Sequence, residues 1–111
     1  MPEPTFLLMI VCRVSPEKAW EGIRVVHARA SQPGQPEIQG LHQALLIEAE
    51  EEPGRLTWLT SWDTKSDSQA FLNSTTYTGL IAALQPYLLR QPEWYWYSVL
   101  EDWAVEVSKA A

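Results

Sequence analysis

The ten residues Thr5 to Val14, TFLLMIVCRV, are apolar at nearly every position. A strand that alternates apolar with polar residues needs cover on one face, whereas a strand apolar throughout needs it on both. The fold must therefore place a layer over each face of this strand, from the chain itself or from a partner. At 111 residues with 46% apolar side chains, the chain is long enough for one core and offers no room for a second domain.

Ser15 and Pro16 form an N-cap and first-turn pair with Glu17 next to the helix start, which predicts a helix from Pro16 to about Ser31. On a 3.6-residue wheel Ala19, Ile23, Val26 and Ala30 make its apolar face, with Trp20 and His27 on one flank. Glu17, Lys18, Glu21 and Arg24 lie away from it. Gly22 in the helix interior costs about 1 kcal/mol relative to Ala, so it marks either a tight contact or a tolerated weakness. Gln32 to Gly40, QPGQPEIQG, is a predicted loop. Leu41 to Ala49 alternates as a second strand, and Glu51 to Gly54, EEPG, turns it back onto Arg55 to Asp63 as an antiparallel hairpin. In that third strand Leu56, Trp58, Thr60 and Trp62 alternate with Thr57, Leu59 and Ser61.

Two short helices follow. Thr64 can accept the backbone N–H of Asp67 and so cap a helix over Ser66 to Leu72; Asn73 and Ser74 break it. Ser74 is placed to cap the next, in which Tyr77, Leu80, Ile81 and Leu84 form one apolar stripe that ends before Pro86. Gln85 to Pro92 is an irregular connection, and Glu93 to Asp102, EWYWYSVLED, is a fourth strand. Residues 1–4 are expected to fray, and Trp103 to Ala111 to dock on a partner or fray. The order strand, helix, strand, strand, helix pair, strand predicts a ferredoxin-like α+β sandwich with one antiparallel sheet and its helices on one face. Strands one, two and four are apolar on both sides, so a monomer would expose more apolar surface than soluble monomers usually do. A partner is expected to cover the second face.

Fourteen acidic against eight basic residues, net charge −6 and no Lys or Arg cluster remove the phosphate-neutralising term that nucleic-acid binding needs. Cys12 is alone, which excludes an intramolecular disulfide and points to a buried reduced thiol and a cytoplasmic setting. The apolar run Phe6 to Cys12 is too short to span a bilayer, and Glu3 stands where a signal peptide would carry positive charge, so neither anchor nor export signal is expected. His27 and His42 are isolated from each other, and no Cys, His or acidic spacing suits zinc or iron, so no metal is expected. No G-x-G-x-x-G, P-loop or nucleophile-elbow pattern occurs, which removes nicotinamide, nucleotide and serine-hydrolase readings. The acidic run Glu48, Glu50, Glu51 and Glu52 is read as a solvated hairpin tip. Six Trp and four Tyr serve equally as core filling and as walls for planar ligands.

A strand ending in Trp62-Asp63-Thr64, then Phe71-Leu72-Asn73-Ser74, then Tyr77 three residues on, resembles the antibiotic biosynthesis monooxygenase family over about Phe6 to Asp102. The resemblance implies a homodimer in which two sheets pack face to face as a dimeric α/β barrel, and a pocket between helices and sheet within each subunit. It places Trp62, Phe71, Asn73 and Tyr77 at that pocket as substrate-binding candidates; His27 joins them on helical geometry alone. For each there is a plain structural role as well: core packing for Trp62, Phe71 and Tyr77, helix-end hydrogen bonding for Asn73, an ordinary hydrogen-bonded helix histidine for His27. The heme-degrading branch carries a Trp before the Leu-Asn-Ser triplet, a His about ten residues later and an Asn on the first strand. Here those places hold Phe71, Ile81 and Val11 or Cys12, so the proximal iron ligand is missing. What the resemblance then implies is a cofactor-independent monooxygenase acting on a small phenolic or quinol compound with molecular oxygen, with His27 as candidate base. The alternative is a non-catalytic dimer of the same fold that binds a small aromatic molecule, or a structural homologue with a filled pocket.

Overall fold

The computed structural model describes residues 6–30 and 38–101. Four antiparallel strands, β1 (Phe6–Arg13), β2 (Leu41–Glu48), β3 (Arg55–Trp62) and β4 (Glu93–Ser98), lie in the order β2-β3-β1-β4. Helices α1 (Ala19–Ala30), α2 (Lys65–Leu72) and α3 (Thr75–Leu84) pack on one face, giving the ferredoxin-like α+β arrangement expected from the element order. The most apolar strand, β1, is central. It pairs with β3 from Phe6↔Trp62 to Arg13↔Arg55, and with β4 from Phe6↔Ser98 to Val11↔Glu93.

Strand alternation divides the sheet residues into two faces. Under the helices, Leu46, Trp58, Ile10 and Trp94 form one row across the sheet, and Ala44, Thr60, Leu8 and Trp96 form the next. Leu8 and Ile10 are fully buried and pack with Trp62, Leu72 and Tyr77; Val26, Leu80 and Leu84 make a second cluster where α1 meets α3. On the other face the rows are Ile47, Thr57, Val11, Glu93; Leu45, Leu59, Met9, Tyr95; and Gln43, Ser61, Leu7, Tyr97. Leu45, Ile47, Tyr95 and Tyr97 remain exposed there.

Both caps of the helix pair form as the sequence predicts: Thr64 Oγ1 accepts the Asp67 N–H at 3.1 Å, and Ser74 Oγ accepts the Tyr77 N–H at 3.2 Å. Helix α2 begins at Lys65, one residue before expectation. Ser15, in contrast, makes no side-chain cap. The chain enters α1 through a single 3₁₀ turn over Pro16–Lys18, in which the Lys18 N–H reaches the Ser15 carbonyl at 2.8 Å, so the backbone does what the hydroxyl was expected to do. Trp20 points outward, 75% exposed, instead of flanking the core. Strand β4 ends at Ser98, shorter than the expected run to Asp102, at its pairing with Phe6, the first residue of β1.

The hairpin tip is more than a solvated acidic run. Glu48 accepts the Gly54 N–H at 3.0 Å, Glu52 pairs with Arg13 and Arg55, and Gly54 takes φ +94°, a conformation that favours glycine. The Gly54 carbonyl in turn accepts the Val14 N–H at 2.8 Å, tying the tip to the end of β1. The expected frayed ends at 1–4 and 103–111, and all but Ile38, Gln39 and Gly40 of the Gln32 to Gly40 loop, lie outside the described residues.

Candidate active site

The helix layer and the β2–β3 half of the sheet part to leave a cavity of about 730 Å³. Its origin is visible in one sheet row. Leu8 and Trp96 fill the space under α2 and α3, but the same row continues across the sheet as Thr60 and Ala44, whose small side chains leave the space above them empty. Trp58 and Trp62 stand on either side of Thr60 on the same face of β3. A register shift between Leu41 and Gln43 sets Leu41 opposite Trp62 and into the cavity wall. Helix α1 contributes Ile23, Val26, His27 and Arg29, and the α2–α3 side contributes Phe71, Thr75, Thr76 and Leu80.

Hydrogen bonds and ring contacts tie the walls together. Thr60 Oγ1 donates to the Leu8 carbonyl at 2.8 Å and accepts the Trp62 indole N–H at 2.7 Å, so this hydroxyl of the sheet wall has its proton committed and is bonded to the indole beside it. Trp62 is fully buried, with its ring 5.4 Å from Phe71 at a 41° tilt. Phe71 leans in turn on Tyr77 at 5.4 Å, and Tyr77 on Trp94 at 6.1 Å in an edge-on contact.

Of the five sequence candidates, Trp62, Phe71 and His27 line the cavity, and His27 does so as an exposed residue at its mouth. Tyr77 and Asn73 do not line it. The Tyr77 hydroxyl accepts the Trp94 indole N–H at 2.9 Å in a half-buried bond; burial pushes its pKa up to about 12, against the opposing effect of that hydrogen bond. Asn73 is exposed at the end of α2, where its side-chain amide donates to the Gln69 carbonyl at 3.1 Å. Tyr77 stands behind Phe71 as support for the wall, and Asn73 serves the end of α2.

Trp58, Arg29 and the Thr75–Thr76 pair belong to the cavity and were missed. Trp58 was available from the period-2 pattern, since it shares a face with Thr60 and Trp62. Arg29 sits one turn beyond Val26 on α1, a position that a wheel assigns to the flank of the apolar face. Its guanidinium lies on α3 at Gly79: a Cβ there would stand 2.5 Å from Arg29 Nη2. No sequence pattern announces that contact.

The sequence matches no family model and no curated protein. Solved structures do match. Proteins bearing the provisional name of antibiotic biosynthesis monooxygenase share this fold: one from Bordetella bronchiseptica at TM-score 0.75 and 16% identity, covering 89% of this chain and 100% of that one; one from Nitrosomonas europaea at 0.73 and 12%, covering 90% and 94%; and one from Caulobacter crescentus at 0.72 and 18%, covering 89% and 92%. The class is thus fixed at the level of fold: a ferredoxin-like α+β domain of the type seen in antibiotic biosynthesis monooxygenase proteins. Among the described residues no helix is long and apolar enough to cross a membrane.

Proposed function

We propose that the protein is a homodimeric, cofactor-independent monooxygenase that oxidises a small phenolic or quinol compound with molecular oxygen, in the cytoplasm. The observation that carries this reading is the cavity itself, an aromatic-walled space of about 730 Å³ with one imidazole at its mouth. Its size suits a small planar molecule. Trp58, Trp62 and Phe71 would hold the ring, and Tyr77 would keep Phe71 in place.

The chemistry needs little apparatus. His27 takes the phenolic proton, and the resulting phenolate passes one electron to dioxygen, giving superoxide and a substrate radical. Their combination forms a C–O bond as a peroxide; cleavage of its O–O bond with loss of water leaves a quinone. A dry pocket favours the sequence because it keeps bulk water from quenching the radical pair.

Oxygen uptake with a panel of quinols, run without added metal or flavin, tests the reading. Wild-type protein is expected to consume oxygen, and His27→Ala to lower turnover by about 10²-fold, the usual cost of removing a general base. Full activity in His27→Ala would remove the base assignment. The non-catalytic reading draws support from the sparse polar lining, in which His27 is the one obvious proton acceptor among the described residues; it expects ligand-induced changes in Trp fluorescence without oxygen uptake.

A further inference from the structure

We infer that the cavity takes an aromatic carboxylate, read by Arg29. This rests on the reading that the cavity binds a small aromatic molecule, and it adds the charge and the residue that recognises it.

The chain carries fourteen acidic and eight basic residues, yet the charged or ionisable side chains that line the cavity among the described residues are Arg29 and His27. Among the described residues the ionisable lining is thus basic, in a chain that is acidic as a whole. Polarity is also one-sided. Against the sheet, Leu46, Trp58 and Trp62 form an apolar wall in which Thr60 has already spent its proton on the Leu8 carbonyl. Most groups able to donate to a bound acceptor, Arg29 and His27 on α1 and the hydroxyls of Thr75 and Thr76 on α3, lie on the helix side, and the sheet wall adds the Trp58 indole N–H. A flat ring resting on the indoles would therefore direct an acceptor-only group toward α1 and α3. A carboxylate is acceptor-only, and a guanidinium matches it as a planar fork.

Gly79 supplies the second observation. It stands inside α3, where glycine is a poor helix former, and its missing side chain leaves the place that Arg29 Nη2 occupies, 2.5 Å from the site of a Cβ. The guanidinium thus lies against α3 at Gly79, beside the cavity that both helices line. Arg29 also interacts within the chain, and a group with five N–H donors serves more than one acceptor.

Isothermal titration with 2-naphthoate and with 2-naphthamide, its uncharged counterpart of the same shape, decides the matter. The acid is expected to bind at least about tenfold more tightly than the amide, a ratio that corresponds to about 1.4 kcal/mol. Added salt should weaken the acid alone. Arg29→Met should remove the preference while leaving amide binding in place, Arg29→Lys should retain part of it, and Gly79→Ala, which displaces the guanidinium, should lower it severalfold. Equal binding of acid and amide by the wild-type protein would overturn the inference and leave the aromatic cavity standing, and this comparison needs no variant to fold. Binding of neither probe would overturn both.

Discussion

Cys12 and Tyr77 belong to one core cluster, and both hold their protons more tightly than in water. Burial pushes the thiol up to about 11 and the phenol to about 12, the latter against the Trp94 hydrogen bond and with help from a Cys12 thiolate. In the unfolded chain these groups ionise near their ordinary values of 9.0 and 10.0. Between those values and the raised ones the unfolded chain has lost protons that the folded chain keeps, so stability falls as pH rises from about 9 to about 12. Urea midpoints across that range should decline by the equivalent of roughly 2 kcal/mol for each group. Cys12→Ala should flatten the lower part of the decline and Tyr77→Phe the upper part; a midpoint independent of pH above 9 would mean that neither proton is retained. Gly22 makes a separate case. A Cβ there would meet Leu56 and Val14 at 3.7 Å, an ordinary contact, so the sequence's choice between tight contact and tolerated weakness falls on weakness. Gly22→Ala should therefore raise stability by about 0.5–1 kcal/mol, readable as a higher thermal midpoint.

Among the elements, those legible in the sequence are the ones whose signals are local. A capping hydroxyl acts three residues away, and Thr64 and Ser74 were readable for that reason. Ser74 does more than cap: its hydroxyl donates to the Phe71 carbonyl at 2.6 Å, joining the end of α2 to the start of α3 beside the cavity wall. Ser74→Ala should cost about 1–2 kcal/mol in denaturant unfolding, and an unchanged midpoint would show that the junction is held by packing alone. What the sequence hid are partnerships across the fold. The indoles of the edge strand β4 reach under the helices, Trp94 to the Tyr77 hydroxyl and Trp96 to Ser68 Oγ at 3.0 Å, with Lys65 5.1 Å from the centre of the Trp96 ring. The Trp94 contact engages the Tyr77 hydroxyl outside the cavity lining. The cavity was hidden likewise, because it follows from Ala44 lying opposite Thr60, and register across a hairpin is not written in either strand alone.

For the whole molecule, the doubly apolar character of β1 remains half explained by one chain. The helices cover Leu8, Ile10 and Cys12, while the opposite face presents Met9, Leu59, Leu45 and Tyr95 in one continuous row with no helix over it among the described residues. Leu45 and Tyr97 are 44% and 48% exposed. One margin of the face is polar: Glu93 accepts the Tyr95 hydroxyl at 2.5 Å and pairs with Arg13, and these partners hold its carboxyl below the usual range. An apolar centre with a polar rim is the anatomy of a protein interface. A second copy of this chain would meet it with the same residues, so sedimentation equilibrium at micromolar concentration should give twice 12.6 kDa. Leu45→Glu tests the surface directly. In a lone subunit the new carboxylate would remain in water and the fold should be kept, as circular dichroism would register; in a dimer it would be buried without a partner. The association should weaken by at least about 100-fold, equivalent to roughly 3 kcal/mol. A wild-type protein that sediments at 12.6 kDa, or a Leu45→Glu variant that remains dimeric, would remove this face as the dimer interface and leave the apolar side of β1 without a physical reason.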